Sequence, residues 1–278
     1  MTQYFKEVLI FGFAINITAF AGNSLAGSNK DASAEVRICS GDYRIQNMSE
    51  LEALEGCTQI KGSLMLQGAV SNLNALKSLT AVDGSLYIGC GNHACTIDVT
   101  DISGLENLKY VGTDLNVGGA TELQSLDGLN NLKSVGGSVT IKHNSMLQNI
   151  SGLSALETVG SDFRIYENPE LVELDGLKSL QNVKGDLIIQ SNPKLRVIAS
   201  LNFLSMIGKD MKVSFNFVLV SMDAFEELVE IGNNMTISYN FTLSEINGFG
   251  RLQNVRGETS IVGNSKSLNF STPASIQK

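Results

Sequence analysis

The sequence predicts a mainly β protein, a right-handed parallel β-solenoid of about nine coils. Three observations point there. Six asparagines, Asn144, Asn168, Asn192, Asn216, Asn240 and Asn264, follow one another at intervals of 24 residues. Around each, apolar residues keep the same register: Val139, Ile141, Leu147, Ile150, Leu153, Leu156 and Val159 become Phe163, Ile165, Leu171, Leu174, Leu177, Leu180 and Val183 one unit later. Within each unit a short alternating segment (GSVTI, GDLII) gives way to apolar residues at every third position (LVELDGLKSLQNV).

The alternating segment is a strand with one buried face. The three-residue period that follows does not suit an α-helix, whose apolar stripe would drift by about 60° every three residues. It suits a coil turning corners in short strand or 3₁₀-like pieces. Gly128, Gly152, Gly176 and Gly248 precede an inward Leu or Phe, and Gly112, Gly160, Gly208 and Gly232 close coils; glycine admits tight corners and positive φ. Pro169 and Pro193 sit directly after ladder asparagines, where no strand amide is needed. Stacked at about 4.8 Å, the coils bury one continuous core in a rod on the order of 40 Å long.

The early coils are less regular. Strands at Leu64 and Leu66, then Leu86 and Ile88, precede one at Leu115 and Val117, and the surplus residues lie in GCGNHACTIDV. Ala120 stands where an asparagine is expected, so the structural ladder begins at Asn144. A carboxamide both donates and accepts, so stacked copies can bond along the column or hold backbone at the bend.

Residues 1–26 read as a secretory signal peptide, with the apolar run LIFGFAINITAF behind Lys6 and small residues after it. Residues 27–38 are expected to be a linker and cap, 39–270 the solenoid, and 271–278 a tail. No other stretch is long and apolar enough to span a membrane. Four cysteines agree with an oxidising destination. They allow three pairings; Cys39 with Cys57 would staple the N-terminal cap, and Cys90 with Cys95 would clip the bulge. Cys57 occupies an inward slot filled by Leu132, Leu156 and Leu180 in later coils. With His93 the one histidine nearby, no metal site is expected, and no cofactor. Sequons occur at Asn47, Asn149, Asn234, Asn240 and Asn269. The net charge of −8 and the lack of a basic cluster argue against nucleic acid as a partner.

The segment CSGDYRIQNMSELEALEGCTQIKGSLML resembles the opening of a receptor L domain, the solenoid lobe of insulin- and epidermal-growth-factor-receptor ectodomains. The likeness lies in the Cys39 to Cys57 interval, the Leu51, Leu54, Cys57, Ile60 step, and the strand Gly62-x-Leu64-x-Leu66. Units such as LDGLKSLQNVKGDLIIQSNPKL are closer still to L-domain-like repeats of microbial and fungal surface proteins. The resemblance covers roughly residues 36 to 270. It implies an extracellular, non-catalytic module; in receptors the large sheet helps to bind a protein ligand, and in fungal relatives the module serves wall organisation.

The outward strand columns are candidates for a ligand face. One reads Thr140, Arg164, Ile188, Lys212, Thr236, Ser260, the other Lys142, Tyr166, Gln190, Ser214, Ser238, Val262. Four aromatics flank two ladder asparagines: Phe215 and Phe217, then Tyr239 and Phe241. Strand alternation turns Phe215 and Tyr239 inward to widen the core; exposed, the four would form a patch for a partner or a sugar ring, or abut a neighbouring lobe. Lys142, Arg164, Tyr166, Lys212, Phe217 and Phe241 form the candidate ligand face. Asp162 and Asp186 precede strands and are expected to bind backbone amides, and no serine–histidine–acid motif stands out. The expected function is a secreted or cell-surface binding or adhesion module for a protein or glycan. A structural cell-envelope role with self-association is the alternative, and a polysaccharide-acting enzyme a minor one.

Overall fold

The computed structural model describes residues 36–89 and 97–270. The expected leader, Cys90, Cys95, His93 and the tail lie outside the described residues.

From Val36 onward the chain forms one unit, a right-handed solenoid. A ten-stranded parallel front sheet runs in chain order from Tyr43–Asn47 to Thr259–Val262. A second ten-stranded parallel sheet runs from Arg37–Ser40 to Asn254–Val255. Ten strands delimit nine turns, and the hand is the one that parallel crossovers favour. The register is uninterrupted through the regular coils: Val139 pairs with Phe163, Phe163 with Leu187, Leu187 with Met211 and Met211 with Met235.

The third side changes character along the chain. In early coils it holds 3₁₀ turns, Asn74–Leu76, Ser103–Leu105 and Ser151–Leu153. Each is set by a side-chain oxygen two residues before the turn's first residue: Asn72, Asp101 and Asn149 accept from the amides of Asn74, Ser103 and Ser151. The same column holds Glu173, Val197, Ser221 and Glu245 in later coils. There a four-stranded sheet forms from Val197–Ile198, Ser221–Asp223, Glu245–Asn247 and Asn269–Phe270.

The core is one uninterrupted spine. Val139, Ile141, Leu147, Ile150, Leu153, Leu156 and Val159 are fully buried, or within a per cent of it, and so are their equivalents in the next coils. Gly152 and Gly176 are needed for closeness rather than for φ. A Cβ on Gly152 would run into the carbonyl oxygen of Leu126, and one on Gly176 into that of Ile150. Neither glycine has positive φ. At the N-terminal end Cys39 and Cys57 form a disulfide with their Cα atoms 5.9 Å apart, and both are buried.

The asparagines form a hydrogen-bonded column. Asn192 Nδ2 donates to Ile165 O at 3.2 Å, Gln190 O at 3.1 Å and Asn216 Oδ1 at 3.3 Å. Its Oδ1 accepts from Asn168 N at 3.1 Å and Asn168 Nδ2 at 3.3 Å. Asn144, Asn168, Asn216 and Asn240 are equally buried, whereas Asn264 at the last coil is half-buried. At the other end Asn144 Oδ1 accepts from Ala120 N at 3.1 Å, so the alanine needs no amide of its own.

Candidate functional site

The front sheet is bordered by two polar columns that determine what it can present. At its entry edge short acceptors tie each coil to the next. Asp162 Oδ1 accepts from Asp186 N at 2.8 Å, Asp186 Oδ1 from Asp210 N at 3.1 Å, and Asp210 Oδ1 from Asn234 N at 2.9 Å. Ser63, Ser85 and Ser138 do the same through Oγ in other coils. These carboxylates cap backbone through Oδ1; Asp210 Oδ1 also accepts from Asn233 Nδ2 at 2.8 Å, and the second oxygens of Asp162 and Asp186 face Arg164.

Between the columns no outward residue of the ten strands is a carboxylate, although the chain has 28 acidic residues against 20 basic ones. Four cations stand there. Arg164 Nη2 lies 2.6 Å from Asp162 Oδ2 and 3.4 Å from Asp186 Oδ2. Arg44 Nε donates to Gln67 Oε1 at 3.0 Å. Lys142 Nζ sits 5.8 Å from the centre of the Tyr166 ring, within cation–π range. Lys212, on the neighbouring column between Ile188 and Thr236, makes no ion pair among the described residues.

The exit edge overturns one expectation. The residue before each ladder asparagine is left-handed: His143, Glu167, Ser191, Phe215 and Tyr239 have φ of 55° to 59°, and Gly263 has 69°. That conformation breaks strand alternation, so Phe215 and Tyr239 do not enter the core. Phe215 is half-buried and Tyr239 is 44% exposed. Strand alternation also fails for Ser214 and Ser238, expected in solvent but buried. A serine is short enough to be shielded by taller neighbours; Ser214 Oγ has no hydrogen-bond partner there. In the other coils His143 Nδ1 lies 2.7 Å from Glu167 Oε2, and its ring meets Tyr166 edge-on at 5.8 Å.

The aromatic rings stack from coil to coil. Phe215 and Tyr239 lie 5.1 Å apart with an interplanar angle of 9°, and Phe217 and Phe241 lie 5.5 Å apart at 5°. Phe217 is 45% and Phe241 59% exposed. Both continue a column begun by the exposed Pro169 and Pro193. Val218, Val220 and Val262 add further exposed apolar surface. Because the rings of each pair face one another, it is largely their rims that meet solvent. The arrangement therefore offers an apolar ridge beside a carboxylate-free, weakly cationic sheet, a surface for contact with another molecule.

Of the expected ligand-face residues, Lys142, Arg164, Tyr166 and Lys212 stand on the sheet, and Phe217 and Phe241 on the ridge beside it. Sequence reasoning missed the entry column as a continuous feature and the exposure of Tyr239. Glycines at 68, 119 and 263, in the same left-handed place, were the available signal for the latter. Among the described residues no group of three or more His, Cys, Asp or Glu is placed to hold a metal ion. No described helix is long and apolar enough to cross a membrane.

The receptor L domain family model matches residues 112–207, a stretch of four coils that includes Arg164, Tyr166 and the first three ladder asparagines. No curated protein matches the sequence.

Proposed function

We propose that the chain is a secreted or cell-surface, non-catalytic binding module that recognises a protein or glycan through the front sheet and the aromatic ridge along its exit edge. The observation that carries this reading is the stacked, exposed Phe217 and Phe241 beside a sheet free of carboxylates in an acidic chain. Exposed, stacked rings that add little to the core offer apolar contact area to a partner. The disulfide favours an oxidising compartment, and L-domain-like solenoids are typical of extracellular proteins. The Asp162, Asp186 and Asp210 carboxylates are engaged in capping backbone, which supports a structural rather than an acid–base role for them.

The test is a binding screen of the purified protein against a glycan array and a panel of extracellular proteins, repeated with Phe217→Ser/Phe241→Ser and with Lys212→Glu. We expect at least a tenfold loss of binding for the double variant and a smaller loss for the charge reversal, with circular dichroism unchanged. Undiminished binding by a folded double variant rejects the ridge.

The exposed valines beside the rings favour one second reading, an envelope-organising role through self-association. In that case sedimentation shows concentration-dependent assembly of the parent protein that the double variant lacks.

A further inference from the structure

Past the expected leader five sequons occur in the chain, and the fold treats them differently. Asn240 is fully buried, and its Nδ2 donates to Val213 O at 3.0 Å and Asn264 Oδ1 at 3.2 Å. Neither hydrogen can be replaced by a sugar without breaking the column. Asn47 engages both amide atoms with Glu50, accepting from its N and donating to Oε1. Asn234 belongs to the entry column and accepts from Glu258 N at 2.8 Å.

Asn149 and Asn269 differ from Asn47 and Asn240 in their Nδ2 atoms, and from Asn234 in lying on the third side, away from the front sheet. Both lie on the third side, in the same column, five coils apart. Asn269 is exposed and Asn149 half-buried. Among the described residues neither Nδ2 donates a hydrogen bond. At Asn149 the sequon's own Ser151 binds Oδ1 through N at 3.3 Å and Oγ at 2.7 Å, fixing the carbonyl side and leaving Nδ2 for substitution.

We propose that Asn149 and Asn269 are N-glycan acceptors and that the ladder excludes Asn240. The inference rests on the secretory reading above. The modification needs a pyrophosphate-linked oligosaccharide and its transferase. The anomeric C–O bond to pyrophosphate breaks, a C–N bond to Nδ2 forms, and Nδ2 gives up one proton as the lipid pyrophosphate leaves. Transfer to the nascent chain at Asn149 or Asn269 is compatible with later folding; transfer to Asn240 is not. The two glycans would stand roughly 24 Å apart on the third side. That placement leaves the front sheet uncovered.

The experiment expresses the full chain in an N-glycosylating cell, once with its own N-terminus and once preceded by a heterologous leader. Secreted protein is mapped by peptide mass after glycosidase treatment in heavy-oxygen water. We expect glycans at Asn149 and Asn269 and none at Asn240. Asn149→Gln and Asn269→Gln should each remove one glycan without lowering secretion, and Thr242→Ala should remove none. Secreted, folded protein bare at either Asn149 or Asn269, or carrying a glycan at Asn240, overturns the proposal. Retention of the native-leader form alone, with the other form glycosylated as expected, overturns the secretory reading instead.

Discussion

A buried carboxamide stays at a bend only while its hydrogen bonds are made. Asn192 makes three through Nδ2 and accepts two through Oδ1. Asn192→Leu therefore orphans the buried amide of Asn168, at roughly 1–3 kcal/mol, and takes one donor from each of Ile165 O and Gln190 O, the second of which keeps Glu167 N. We expect a total loss of about 3 kcal/mol or more, read as a lower urea midpoint. Asn264→Leu removes fewer bonds at a half-buried site, where water can substitute, and should cost about 1 kcal/mol. Equal losses at the two positions would show that the column has no special strength. Glycine allows a second contrast. Gly152→Ala drives a methyl into the Leu126 carbonyl and should cost about 1–3 kcal/mol, whereas Gly250, with nothing within 4 Å of its Cβ position, should accept alanine within about 0.5 kcal/mol. The asparagine column was legible because one residue type performs one task at a constant interval. Of the entry column only Asp162 and Asp186 were legible as caps, because aspartate, serine and asparagine all accept an amide proton equally well and no single letter marks the position.

At the scale of the element, inward positions could be read from the sequence almost without exception, since burial of one strand face leaves only period two. The bend after each strand could not. A left-handed residue is announced only when it is glycine, and His143, Glu167, Ser191, Phe215 and Tyr239 are not. Their conformation is imposed by the column beside them, which holds the next residue's amide from the following coil. This is why alternation placed Phe215 and Tyr239 inside while the structure turns them out, and why the aromatic ridge was read only as one of several alternatives. A non-glycine residue in this region is strained by about 1–2 kcal/mol. Ser191→Gly relieves that strain but adds freedom to the unfolded chain, so we expect a net gain of up to about 1 kcal/mol. Ser191→Val should instead destabilise by a similar amount, because branching at Cβ suits that region poorly. Paired urea titrations decide the matter: if valine is tolerated as well as glycine, the bend is not held left-handed in solution.

For the molecule as a whole, each coil touches little beyond its neighbours, so stability should be local and additive along the axis. The ends then govern fraying. At the N-terminal end the first strand of the second sheet, Arg37–Ser40, is paired among the described residues only with Cys57–Lys61 and is tied to it by the disulfide. Cys39 and Cys57 are separated by 18 residues, and closing a loop of that size is worth about 3 kcal/mol in the chain-entropy account. In a two-state globule its removal would lower protection everywhere; in a stack of coils it should act close by. We therefore expect Cys39→Ala/Cys57→Ala to accelerate amide hydrogen exchange over residues 37–69 by about a hundredfold or more, the equivalent of about 3 kcal/mol. Residues 163–214, at least four coils away, should exchange at the parent rate. An equal loss of protection in both segments would mean that the nine turns unfold as one cooperative block.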